Sequence, residues 1–150
     1  MNDIVVGMGE ALWDVLPEGK KIGGAPANFA YHVSQFGLPS CVVSAVGDDA
    51  LGKEIIENFT SKGLNQLIAE VPYPTGTVQV EIDPAGVPQY EIKENVAWDN
   101  IPYTAHLEML AEKTKAVCFG SLAQRNVVSR NTINPVSYTH LRAHETLMNL

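Results

Sequence analysis

The chain has 150 residues, 45% of them hydrophobic and 18% charged, with 12 Gly and 9 Pro, which excludes collagen-like, coiled-coil and long disordered chains and fits one globular domain or part of one. Its net charge is -7, with only 10 Lys and Arg; nucleic acid is therefore not an expected partner, because phosphate binding needs a basic face. No apolar run approaches the ~20 residues of a membrane span, and Met1-Asn2-Asp3 carries an acid where a secretory signal is basic, so the expected location is cytoplasmic, with no membrane partner and with Cys41 and Cys118 as small core residues of a reducing compartment.

Ile4 to Val6 is a short apolar run ending in Gly7-Met8-Gly9 and predicts a buried parallel strand. Leu12 to Leu16 then alternates apolar and polar residues. The spacing of Ala27, Ala30 and Tyr31, with Pro26 in the first turn and Gly37 at the stop, predicts a helix from Ala25. Cys41 to Val46 predicts a second buried strand, and Leu51, Ile55, Ile56 and Phe59 form the apolar stripe of a helix over Ala50 to Lys62, closed by Gly63.

The rhythm changes at Gly76 to Asp83, whose period of two, followed by Pro84-Ala85-Gly86 and Val87 to Ile92, predicts a hairpin with one wet face. Together with Leu12 to Leu16 it predicts a small antiparallel sheet set apart from the main one. A helix over Thr104 to Lys113 and a buried strand over Ala116 to Phe119, ending in Gly120-Ser121, complete the pattern. The fold class is an α/β sandwich with a β lid, the lid strands lying at about 11–22 and 74–98.

Gly23-Gly24-Ala25-Pro26-Ala27-Asn28 opens the first helix. It is either a plain tight turn into the helix or a place where a ligand approaches the backbone and uses the free N–H groups of the helix start. Asp14 either faces water on an edge strand or accepts hydrogen bonds from a bound polyol, since one carboxylate can accept from two adjacent hydroxyls. Trp98 fits the core, and Tyr90 fits either core or lid. Arg125, in the segment after the Ala116 to Phe119 strand, is either a surface charge or part of a site at the end of the sheet where ligands bind. Gly7-Met8-Gly9 lacks the third Gly of a dinucleotide loop, and no phosphate loop of the G-x-x-x-x-G-K-[ST] type occurs.

These segments together resemble one family. Gly9-Glu10-Ala11-Leu12-Trp13-Asp14, Gly23 to Ala30 and Val46-Gly47-Asp48-Asp49-Ala50-Leu51-Gly52 are similar to the N-terminal half of the ribokinase-like (PfkB) carbohydrate kinases. Pro74 to Val78, Ala97-Trp98-Asp99 and Phe119 to Arg125 are similar to its fructokinase branch, and the match runs in order from about Ile4 to Ile133. The resemblance implies transfer of the ATP γ-phosphoryl group to a sugar hydroxyl with Mg2+, in the ribokinase-like fold. It implies a sugar, fructose in that branch, held by Asp14, Gly23, Gly24 and Asn28, with Tyr90 a further contact under a lid that excludes water. It also implies a homodimer formed through the lid. The resemblance implies that the family's second half carries a Gly-Ala-Gly-Asp motif, whose Asp is the general base and whose N–H groups form an anion hole, along with most of the nucleotide site; no such motif occurs in this sequence, so no catalytic residue is expected here and the chain alone is expected to be inactive. Alternatives within the sequence are a stand-alone sugar-binding or dimerisation module and a ribokinase- or adenosine-kinase-like member.

Residues 1–135 are read as this N-terminal half, and 136–150 as a foreign tail. Asn134-Pro135 is a boundary signal, and Val136 to Glu145 matches, codon for codon, the conceptual translation of a transposase adapter used in sequencing libraries. His140 and His144 have i, i+4 spacing with Glu145 nearby, but two ligands are weak evidence for a metal, and no metal site is expected.

Overall fold

The computed structural model describes residues 3–141, with side chains as far as Tyr138. The main sheet is four parallel strands in the order β5-β4-β1-β8: β1 (Ile4–Met8), β4 (Ser40–Gly47), β5 (Asn65–Val71) and β8 (Thr114–Phe119). Every residue of β4 is buried, and its side chains alternate between the two faces as a strand requires. Val43 and Ala45 enter one apolar cluster with Met8, Trp98, Ile101 and Leu107. Val42 and Val46 enter the other with Ala27, Ala30, Ile55 and Phe59. A strand covered on both faces reads as a continuous apolar run, which is why β1 and β4 were legible.

The second cluster is closed by helices α1 (Ala25–Gln35) and α2 (Ala50–Ser61). The first is closed by a buried 3₁₀ turn (Ala97–Asn100) and by α3 (Ala105–Glu112) and α4 (Val127–Leu141). Two helix starts are capped as their sequences ask. Asp49 Oδ1 accepts from the Gly52 N–H at 2.8 Å, and Thr104 Oγ1 from that of Leu107 at 3.2 Å. The result is the expected α/β sandwich, with no helix among the described residues long and apolar enough to cross a membrane.

The lid is a second four-stranded sheet, ordered β3-β2-β6-β7, made of β2 (Leu12–Leu16), β3 (Gly19–Gly23), β6 (Gly76–Ile82) and β7 (Pro88–Ile92). It corrects the expectation of an antiparallel sheet. Pairs β2–β3 and β6–β7 are antiparallel hairpins, but the central pair β2–β6 is parallel. It also corrects the edge-strand reading of Asp14, because β3 takes the edge and leaves β2 inside. The β6–β7 turn is tied by Asp83 Oδ1, which accepts from Ala85 and Val87 N–H at 2.9 and 2.8 Å. Trp98, at the end of the expected lid range, is buried in the core cluster instead.

Helix α4 runs through the expected boundary. Pro135 lies inside it, so the carbonyl of Asn131 has no helical N–H partner there. Val136 and Ser137 are buried, and the Ser137 hydroxyl donates to the Ile133 carbonyl at 3.0 Å. The side chain of His140, and all of His144 and Glu145, lie outside the described residues.

Candidate sugar-binding site

In the main sheet β1 has β4 on one side and β8 on the other, so the chain's winding reverses between β1 and β8. Open α/β sheets bind ligands in the crevice at the carboxyl ends of such strands. The loop after β1 leads to Glu10 and then into β2 of the lid; the loop after β8 leads to Arg125.

Asp14 sits on β2, opposite Lys21 of β3 and Val78 of β6. It is half-buried, and no hydrogen bond or ion pair from the described residues reaches it; burial raises its carboxyl above the ordinary aspartate value. Gly23 is what allows this placement, since a Cβ there would stand 2.5 Å from Asp14 Oδ2. Gly24 follows with φ 113°, a conformation that favours glycine, and a Cβ on it would strike the Glu10 carbonyl. Gly24 is also the N-cap of α1 and supplies no side-chain cap to its first turn. Asn28 stands exposed on the first turn, its own N–H given to the Gly24 carbonyl at 3.0 Å. Asp14 thus lies against Gly23, and Asn28 is joined to Gly24 through the first turn of α1.

Tyr90 is less closely placed. The register Asp14 to Val78 to Ile92 puts it on the same face of the lid as Asp14, two strands away, with 65% of its surface exposed.

The base of the lid is fastened by Asp49. Its Oδ2 accepts from the Thr75 N–H at 2.9 Å and its Oδ1 from the Thr75 hydroxyl at 2.6 Å, while Thr75 Oγ1 accepts from the Gly47 N–H at 2.9 Å. Burial opposes the charge of Asp49, but these donors outweigh it and hold the carboxyl below its usual value.

Arg125 is not a loose surface charge. Its Nε and Nη2 donate to the two oxygens of Asp99 at 2.8 Å each, and Nη2 also donates to the Lys93 carbonyl at 2.6 Å. The guanidinium lies 4.2 Å from the centre of the Trp98 ring.

Glu10 is the residue that the sequence left unremarked as a candidate. It is 6% exposed, and its Oε2 has no hydrogen-bond partner among the described residues. Burial raises its carboxyl, against the pull of its own N–H, the Ala25 N–H and the charge of Arg125. An acid directly after a buried strand, inside Gly9-Glu10-Ala11-Leu12, was the available signal.

Residues 17–133 match the pfkB family carbohydrate kinases. The chain belongs to this family. It is 32% identical over 119 residues to the sugar kinase PH1459 of Pyrococcus horikoshii, covering 78% of this chain and 38% of that one. The uncharacterized PH1459 crystal structure superposes with a TM-score of 0.77, over 89% of this chain and 48% of the other, at 31% identity. PH1459 has also been crystallised in complex with ATP. An ATP-dependent 6-phosphofructokinase of Thermoanaerobacterium thermosaccharolyticum is 31% identical over 115 residues, 76% of this chain and 35% of its own. A fructokinase of Klebsiella pneumoniae is 32% identical over 93 residues, 57% of this chain and 30% of its own. The chain therefore spans less than half the length of these relatives. The described residues gather no group of three or more His, Cys, Asp and Glu side chains able to hold a metal ion, so no Mg2+ ligand is assigned within them.

Proposed function

We propose that this chain is the sugar-binding part of an ATP-dependent carbohydrate kinase whose acceptor is fructose or a close ketose. The observation that carries the reading is Asp14: a half-buried acid without a partner among the described residues, its carboxylate lying against Gly23 where any Cβ would meet it. Sugar hydroxyls are donors for its two oxygens. Asn28 and the N–H groups at the start of α1 add polar contacts, and Gly23 and Gly24 let the sugar approach the backbone. Tyr90 closes over it from the lid. A lid that excludes water protects phosphoryl transfer, in which positioning and electrostatics supply most of the catalysis. The exposed outer strand β7 is the surface offered to a second copy in a lid-mediated dimer.

The general base and the nucleotide site are assigned to a C-terminal half. Purified alone, the chain is expected to consume no ATP with fructose; residues 4–133 joined to the C-terminal half of a pfkB kinase are expected to phosphorylate fructose. Turnover by the chain alone above a no-protein control would overturn the division of labour. Preference of the joined enzyme for ribose or adenosine would overturn the choice of sugar, and preference for fructose 6-phosphate would move it toward phosphofructokinase chemistry.

The tail from Val136 is proposed to be foreign in origin, on the strength of its codon match. Val136 fills a core position as any valine would, so its burial does not depend on where its codon came from. Resequencing the locus from an adapter-free clone is expected to give different codons after Pro135; recovery of the same codons would sink the idea.

A further inference from the structure

The lid hairpin β6–β7 joins the main body through two stems, and an acid of the main body holds each of them in a different way. The stem into β6 is held directly, since Asp49 accepts from the N–H and the hydroxyl of Thr75. The stem out of β7, Lys93 to Val96, is held through an intermediary. Asp99 accepts from the Val96 N–H at 3.2 Å and from Nε and Nη2 of Arg125 at 2.8 Å each. Arg125 Nη2 then reaches on to the Lys93 carbonyl at 2.6 Å, the shortest of the three side-chain bonds. The guanidinium is fixed along its edge by Asp99 and on its face by Trp98, 4.2 Å from the ring centre.

The bond to Lys93 does not rescue a buried carbonyl. It lies in an exposed setting, where water would serve that oxygen equally well, and the Lys93 ammonium is paired elsewhere, with Glu91 at 2.7 Å. What the bond fixes is position. Asn95, inside the same stem, has φ 54° and is the only non-glycine residue with a positive φ among the described residues, so the chain turns sharply between lid and body. Lys93 lies three residues beyond Tyr90, and Arg125 comes from the segment after β8, at the carboxyl end of the main sheet.

We propose that Arg125 is a positioning residue of the sugar site: its fork clamps the stem after β7 to Asp99 and so sets how far Tyr90 stands from the crevice. This rests on the sugar-binding reading above, in which Tyr90 closes over the sugar. Arg125 acts through the stem and not by touching the sugar. The role needs a planar fork, because one side chain must serve Asp99 and the Lys93 carbonyl together; a lysine ammonium neutralises Asp99 but is a point charge on a flexible stem and does not hold both in fixed geometry.

The decisive variant is therefore Arg125→Lys, which keeps a cation beside Asp99. In the chain itself, without sugar, it is expected to speed hydrogen exchange about tenfold at the Lys93 amide, bonded to the Thr77 carbonyl, and at the Val96 amide, while β4 amides keep their rates. In the joined kinase it is expected to raise the KM for fructose about fivefold, with kcat and the KM for ATP within about twofold. A merely structural loss would speed β4 and the stem together and would lower the active fraction, hence kcat, without moving the KM. The proposal is overturned by stem amides at parent rates, by β4 exchanging faster along with the stem, or by a KM for fructose within twofold of the parent. Should the joined parent phosphorylate no sugar, the sugar-binding reading fails, and the exchange measurement still decides whether Arg125 clamps the stem.

Discussion

Replacing Asp14 with Ala in the joined kinase is expected to lower kcat/KM for fructose by roughly one to two orders of magnitude. In the proposed site the acid would accept from the sugar's hydroxyls, and its removal would leave those donors unpaired under the lid, a loss of about 1–3 kcal/mol. The loss is expected to fall on the sugar and not on ATP, because most of the nucleotide site is proposed to lie in the C-terminal half. Asn28→Ala is expected to act in the same direction more weakly, since Asn28 is exposed and offers a single amide group. Glu18→Ala, in the exposed turn between β2 and β3, is the control and should change little. Measuring kcat/KM for fructose and the KM for ATP in each variant separates these outcomes. An Asp14→Ala enzyme within twofold of the parent for fructose means that Asp14 is only a solvated acid and that the sugar lies elsewhere.

What could be read from the sequence divides along physical lines. Strands β1 and β4 were visible because both of their faces are covered, and helices α1 and α2 because their stripes and stops follow the helical period. Strand β3 was covered only by the lid range of about 11–22 and not resolved as a strand of its own, since Gly19-Lys20-Lys21-Ile22-Gly23 carries two exposed lysines between glycines and shows no apolar alternation; its pairing with β2 makes it one. That omission moved Asp14 to an edge it does not occupy. The parallel β2–β6 pair was hidden for a related reason, because strands more than 50 residues apart leave no local sign of their relative direction. Strand β5 lies at the margin of the main sheet and is only partly buried, which blurs its apolar pattern. Glu10 was passed over because the turn at Gly24 packs against its backbone and it is buried in the fold, a placement that residue spacing does not contain. Arg125 stayed undecided between surface and site until Asp99, 26 positions away, was seen beneath it.

Arg125→Ala is expected to cost this fold about 3 kcal/mol, the largest stability effect among the changes considered. Asp99 is 1% exposed, and removing its partner leaves a charge in the interior, where breaking a buried pair costs about 3–5 kcal/mol. The lower end applies because the Arg125 side chain is itself 26% exposed, so water screens part of the pair. The residue also loses its stacking on Trp98 and the bond to the Lys93 carbonyl that ties the end of the lid to the main body. Asp99 would keep one donor, the Val96 N–H at 3.2 Å, which is too little to hold a buried carboxylate. The hydrogen bonds to Asp99 also raise the Arg125 guanidinium above its ordinary value, so Arg125 keeps its charge at neutral pH. Urea unfolding of the chain followed by far-ultraviolet circular dichroism reads the loss directly. Arg125→Ala combined with Asp99→Asn should cost less than the sum of the two single changes, because the second removes the charge that the first exposes. A loss below about 1 kcal/mol for Arg125→Ala would place the pair among ordinary surface ion pairs, and the Arg125 wall of the crevice would then be free to move.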